Sequence, residues 1–190
     1  MCADATPLGP AGIAEVLLTA DQIGERVREL AAAIERDVSP DRDVHLVGIL
    51  TGAFVFMADL VRAMTARVTL DFMAVSSYGT GALTSGEVRV LKDLDIGLAG
   101  RHVVIVEDIV DTGTTLAYLQ EILRARGPRS LRTATLLSKP SRRRVPVTVE
   151  YVGFEIDDRF VVGYGLDQAH RFRNLPYVGI AREPSDLPGQ

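Results

Sequence analysis

The chain is short of cysteine, of lysine and of long apolar runs, and each shortage excludes something. One cysteine in 190 residues, Cys2, permits no internal disulfide and no thiolate cluster for zinc. No apolar run reaches the ~20 residues that cross a bilayer. No basic start leads into an apolar stretch, so a secretory signal is not expected. The expectation is a cytoplasmic chain without a membrane partner. The 21 Lys and Arg against 25 Asp and Glu leave a net charge of −4. A nucleic-acid binder needs a basic face to neutralise phosphates, so no nucleic-acid partner is expected. Of the basic residues only Lys92 and Lys139 are lysines.

What is present is enough to bury a core: 47% of the residues are hydrophobic. The length suits one domain spanning 1–190, with flexible ends at 1–12 and 182–190 where Pro, Gly and polar residues show no periodicity. Ile23, Val27, Leu30, Ala31 and Ile34 recur at helical spacing and predict a helix over 20–38, capped by Thr19 or Asp21. Short β-branched runs predict strands at 44–50, 68–75, 102–106, 131–137, 147–152, 160–164 and 176–180. Helices are predicted at 53–64 and at 114–127, the second with Leu116, Leu119 and Leu123 on one face and Gly127 as its stop. The Ser-, Gly- and Thr-rich stretch 76–88 has no core face and reads as a long exposed loop. Apolar strands alternating with helices imply an α/β fold, with a central, mostly parallel sheet flanked by helices. Ligands in such folds sit beyond the carboxyl ends of the strands.

The most informative segment is VVIVEDIVDTGTTL, 103–116. A buried strand ends in Glu107 and Asp108, Asp111 follows, and Thr112, Gly113, Thr114 and Thr115 open a helix. A small-residue turn at a helix N-terminus directs N–H groups, hydroxyls and the helix dipole at one spot, which suits a phosphate. Carboxylates beside it suit neighbouring sugar hydroxyls. The ligand implied is a sugar phosphate. The alternative, in which Asp111 and Thr112 only cap the helix and the acids are solvated, does not account for strand, acids and turn occurring together.

This segment resembles the phosphoribosyl-pyrophosphate signature of type I phosphoribosyltransferases. LTGAFVFMADLVR (50–62), DFMAVSSYG (71–79), VRVLKDLD (88–95), LLSKPSRR (136–143), VGFEIDDRFVVGYGLD (152–167) and FRNLPYVG (172–179) narrow the resemblance to bacterial hypoxanthine-guanine phosphoribosyltransferases, from about Leu18 to Ile180. It implies the type I phosphoribosyltransferase fold, with a small hood formed by segments from the chain termini. It implies purine salvage: transfer of 5-phosphoribosyl from phosphoribosyl pyrophosphate to hypoxanthine or guanine, giving IMP or GMP and pyrophosphate. Glu107, Asp108 and the turn Asp111, Thr112, Gly113, Thr114, Thr115 would hold ribose and its phosphate. Asp111 would act as general base at purine N7. Lys139 would donate to the exocyclic O6, Phe160 would stack on the ring, and Val161 and Asp167 would read its far edge. Leu50, Thr51 and Gly52, with a cis peptide between Leu50 and Thr51, and Arg173 would bind pyrophosphate. Magnesium would assist the leaving group, held by Glu107, Asp108 and Asp167. Ser77 and Tyr78 would belong to a lid. A homodimer or homotetramer is implied.

One position departs from the family pattern: Thr51 stands where many relatives have lysine. Lys92 reads equally as a lid tether, a pyrophosphate contact or a surface partner of Asp93 or Asp95. The basic runs 124–132 and 142–144 read as solvated or as interface residues. A regulator that binds phosphoribosyl pyrophosphate, and a transferase preferring xanthine, are the alternative functions.

Overall fold

The computed structural model describes residues 12–38, 43–77 and 88–182. In chain order the elements are β1 (Ile13–Leu18), α1 (Ala20–Val38), β2 (Asp43–Leu50), α2 (Phe54–Ala63), β3 (Arg67–Ser77), β4 (Val88–Lys92), β5 (His102–Val110), α3 (Thr114–Arg124), β6 (Ser130–Ser138), β7 (Tyr151–Glu155), β8 (Val161–Val162) and β9 (Val178–Ala181). A short 3-10 turn, Pro140–Arg142, follows β6.

Six strands form the central sheet in the order β4-β3-β2-β5-β6-β7, all parallel neighbours except β4, which runs antiparallel to β3. Both faces are covered, which is why its strands read as continuous apolar runs. Along β5 the side chains alternate: Val104 and Val106 pack with α1 and α2, Val103 and Ile105 with α3. The α1 stripe predicted by periodicity is buried. Thr19 is its cap: Thr19 Oγ1 accepts from the Gln22 N–H at 3.3 Å and Gln22 Oε1 accepts from the Thr19 N–H at 2.9 Å, a reciprocal capping box.

A second sheet, antiparallel and ordered β1-β9-β8, joins the two ends of the chain above the first. This is the hood, with β8 added from the interior of the sequence. The expected flexible tails fall almost wholly outside the described residues. At their inner edge the Arg182 N–H donates to the Gly12 carbonyl at 2.8 Å.

Several element boundaries differ from expectation. The strand expected at 147–152 begins only at Tyr151, because Val147 and Val149 instead pack into the α3 cluster. The strand expected at 160–164 is confined to Val161–Val162, since Gly163, Tyr164 and Gly165 all take positive φ and turn the chain. The strand expected at 176–180 is Val178–Ala181. Helix α3 ends at Arg124, three residues before Gly127. Strands β1 and β4 were not expected; β4 and the end of β3 take residues from both ends of the loop placed at 76–88. The middle of that loop, Tyr78 included, lies outside the described residues. Among the described residues no helix is long and apolar enough to cross a membrane.

Candidate active site

Of the expected site residues, Leu50 to Gly52, Glu107, Asp108, Asp111 to Thr115 and Lys139 lie at the carboxyl ends of β2, β5 and β6, where parallel α/β sheets place their ligands. Strand β5 runs to Val110; the Asp111–Gly113 turn follows and α3 begins at Thr114. Gly113 takes φ +86°, a left-handed conformation that a β-carbon disfavours. It lets the chain enter the helix with its first-turn N–H groups, which have no intrahelical acceptor, facing outward. A cavity of about 100 Å³ sits there, lined by Glu107, Asp111, Thr112, Gly113 and Thr115 among others. The turn is held from behind by Arg143, which donates to the carbonyls of Val110 (2.7 Å) and Asp111 and to Ser138 Oγ (2.8 Å). The Arg144 N–H donates to the Thr112 carbonyl at 2.9 Å.

The acid pair of β5 is unusual in its charge. Burial, and then the adjacent Asp108 charge, push the Glu107 carboxyl well above the usual carboxylate range. Burial pushes Asp108 up to about 6; the Ile109 N–H and Arg173 oppose the rise, and Asp167 adds to it. Asp108 lies against the turn after β2. A β-carbon on Gly52 would collide with the Asp108 carboxylate, and one on Gly165 would collide with the Gly52 carbonyl. The Leu50–Thr51 peptide is cis, as expected. Thr51 is exposed. Arg173 donates to the Gly165 carbonyl at 2.6 Å and pairs with Asp167 at 2.7 Å; the other Asp167 oxygen accepts from the His170 N–H at 2.8 Å. The Thr51-Gly52 turn, Asp108, Asp167 and Arg173 are thus brought to one side of the site by three distant segments.

Lys139, directly after β6, is buried, and its N–H donates to the Val110 carbonyl at 3.0 Å. Its ammonium lies 3.6 Å from Asp158. A solvated surface lysine does not describe it. Phe160 is 58% exposed, which excludes a role as plain core. Val161 lies in the hood, opposite Ile180.

Sequence reasoning missed Arg142, Arg143 and Asp158. Arg142 donates to Asp111 at 3.0 Å and to Asp158 at 3.3 Å. The arginine run 142–144, placed immediately after Lys139, was the available signal; it serves the site and its loop. Lys92 also has an answer: its ammonium contacts Asp71 (3.5 Å), Asp95 (3.2 Å) and the carbonyls of Phe72 (2.9 Å) and Asp93 (3.0 Å). It ties the β4 edge to β3. Ser77 ends β3, at the root of the expected lid. His45 and His102 bond Thr69 and Ser130 near a cavity of about 510 Å³ at the opposite end of the sheet, remote from the acids.

The acid set fits a magnesium ion that shares its shell with substrate and water. Among the described residues no three acid, histidine or cysteine side chains converge into a protein cage. Magnesium does not require one: it commonly uses one or two carboxylates and completes its shell with phosphate oxygens and water. Asp108, held near Asp167, and Glu107, a buried carboxyl, are of that kind.

The model of the phosphoribosyl transferase domain matches residues 15–169. A hypoxanthine-guanine phosphoribosyltransferase of Bacillus subtilis is 46% identical over 170 residues, 90% of this chain and 94% of the relative. A hypoxanthine phosphoribosyltransferase of Escherichia coli is 51% identical over 166 residues, 87% of this chain and 93% of the relative. A hypoxanthine-guanine phosphoribosyltransferase structure from Bacillus anthracis, with a HEPES molecule in its active site, superposes with TM-score 0.85 at 45% identity, covering 90% of this chain and 99% of the other.

Proposed function

The chain belongs to the phosphoribosyl transferase domain family and is an enzyme; from that premise we propose that it transfers the 5-phosphoribosyl group of phosphoribosyl pyrophosphate to hypoxanthine or guanine, in purine salvage. The observation that supports this reading is the buried Lys139, bonded through its N–H to Val110 at the end of β5, beside the acid pair and small-residue turn of that strand.

The N–H groups and hydroxyls of Asp111 to Thr115 hold the 5-phosphate. Glu107 and Asp108 accept from the ribose hydroxyls. Backbone N–H groups of the Thr51-Gly52 turn and the Arg173 guanidinium hold pyrophosphate; the guanidinium fork matches phosphate oxygens. Lys139 donates to O6, which selects a 6-oxopurine over adenine, whose 6-amino group is itself a donor. Phe160 stacks on the ring, and Val161 and Asp167 meet its other edge. A purine nitrogen then bonds to the anomeric carbon as the bond to the pyrophosphate oxygen breaks. The leaving oxygen keeps the electron pair, and the N7 proton passes to Asp111. Fixing both reactants makes the attack effectively intramolecular, worth up to about 7–11 kcal/mol at the limit. Magnesium, held by Glu107, Asp108 and Asp167, would neutralise charge on the departing pyrophosphate. The protein works in the cytoplasm as a homodimer or homotetramer.

The test is nucleotide formation from phosphoribosyl pyrophosphate and magnesium with hypoxanthine, guanine, xanthine or adenine. Turnover with hypoxanthine or guanine and none with adenine is expected. No turnover with any base overturns the proposal, and a rate highest with xanthine replaces the substrate.

A further inference from the structure

Four charged side chains alternate in sign across the base side of the site. Asp111 meets Arg142 at 3.0 Å, Arg142 meets Asp158 at 3.3 Å, and Asp158 meets Lys139 at 3.6 Å. The outer two, Asp111 and Lys139, are the residues assigned to the purine. The inner two lie on different segments: Arg142 on the turn after β6, Asp158 on the loop before β8. Each is roughly half exposed, at 43% and 51% of its side chain. Asp111 and Lys139 have no other charged side-chain partner within salt-bridge distance among the described residues.

We propose that Arg142 and Asp158 are positioning residues for the transfer, acting as a charge bridge that aims the base at N7 and the donor at O6. The proposal rests on the assignment of Asp111 and Lys139 made above. Arg142 is anchored by its neighbour: Arg143 fixes the same turn to the Val110 and Asp111 carbonyls, so the guanidinium of Arg142 is delivered beside the Asp111 carboxylate. Arg142 donates through Nε to Asp111 and through Nη1 to Asp158, so one planar group spans two carboxylates. This geometry restrains the Asp111 carboxylate where a flexible surface acid would wander. Asp158 is the one carboxylate within salt-bridge distance of the buried Lys139 ammonium among the described residues and restrains it. Purine entry adds a bond from the Lys139 ammonium to O6 beside its contact with Asp158, since an ammonium carries three donors. Asp158 is itself held by Arg142, so the donor stays restrained in the complex.

The two halves predict different kinetics. Losing Arg142 loosens the base and acts on the chemical step; a small misplacement of a catalytic group costs up to about 10²-fold. Losing Asp158 loosens the O6 donor and acts on purine binding, by the few-fold that a partly exposed ion pair supports. In steady-state assays of the full-length enzyme with magnesium and phosphoribosyl pyrophosphate, Arg142→Gln is expected to lower kcat about tenfold with the KM for hypoxanthine within about twofold. Arg142→Lys, which keeps the charge, should recover most of that loss. Asp158→Asn should raise the KM for hypoxanthine about fivefold and leave kcat within about twofold. The KM for phosphoribosyl pyrophosphate should not move in any of the three.

Asp111→Asn is run beside them. If it slows turnover while Arg142→Gln and Asp158→Asn leave both constants within twofold, the bridge is overturned and the base assignment stands. If Asp111→Asn itself turns over normally, the base assignment falls and takes the bridge with it. A kcat loss in Arg142→Gln that Arg142→Lys does not recover, or one matched by an equal rise in the KM for phosphoribosyl pyrophosphate, marks general damage to the turn and also overturns the proposal. Thermal melting of each variant, expected within about 3 °C of the parent, separates folding from positioning.

Discussion

At the residue scale the decisive feature is a set of charges that are costly to bury and therefore informative. Lys139 is buried with a single carboxylate at 3.6 Å, poor compensation for an ammonium removed from water. Under the proposed assignment the purine O6 would supply the missing acceptor. Lys139→Ala should raise the KM for hypoxanthine about 10- to 100-fold, the range of a hydrogen bond to a charged group, with a smaller effect on the KM for phosphoribosyl pyrophosphate. An unaltered base KM would remove Lys139 from recognition.

Asp108 makes a statement about pH. Burial pushes its carboxyl up to about 6 in the folded protein, against about 3.9 in an unfolded chain. Between those values the folded state holds a proton that the unfolded state has lost, so stability falls as pH rises. The loss begins near pH 4, is complete somewhat above 6, and amounts to at most about 3 kcal/mol. Glu107 is raised in the same direction and adds to the slope. His45 opposes it: burial, and then the Arg101 charge, hold it below the ordinary histidine value, so its contribution is lost as pH falls below about 6.5. Denaturant melts of metal-free Asp108→Asn and parent protein from pH 4 to 7 isolate the first effect. The variant should gain stability relative to the parent as pH rises, and parallel curves would contradict the shift.

At the scale of elements, the site is made by strand ends and turns that the sheet brings to one rim. The turn after β2 is packed so closely that Gly52 and Gly165 have no room for a side chain. Gly165 also takes φ +98°, where a β-carbon is strained. Gly165→Ala must move backbone against backbone and should lower stability by about 1–3 kcal/mol, read as a drop in melting temperature. Gly52→Ala meets only a side chain, the Asp108 carboxylate. It should therefore melt nearer the parent while weakening binding of phosphoribosyl pyrophosphate, measured by calorimetry with magnesium. Equal melting losses in the two variants would refute the distinction. Thr51 is exposed on the same turn, with space for a longer side chain. Thr51→Lys should lower the KM for phosphoribosyl pyrophosphate by a few-fold, up to about fivefold, as a partly exposed charge pair permits.

At the scale of the whole molecule, the described residues leave Phe54, Leu70 and Leu91 exposed at 41%, 43% and 63%. These lie on α2, β3 and β4. A homodimer or homotetramer would give such residues cover, and light scattering on the purified protein at micromolar concentration should return one of those masses. A monomeric mass would remove the assembly from the account.

Much of this was legible in the sequence because it is local. Helix periodicity put Ile23, Val27, Leu30 and Ile34 on one buried face, and the run 102–106 announced a buried strand, which the structure extends to Val110. The acids, the turn and the helix start of 103–116 adjoin one another, so their order alone pointed to a candidate phosphate cradle flanked by acids. Tertiary structure decided what depends on distant residues. The edge strand β4 and the hood strand β1 exist because β3 and β9 offer them partners, not because their own patterns demand it. Gly52, Asp108 and Gly165 come from three segments, and only folding shows that each occupies the space of the next. The same holds for the chain from Asp111 through Arg142 and Asp158 to Lys139. Sequence spacing orders residues along one segment, whereas charge pairing and exclusion of volume act through space.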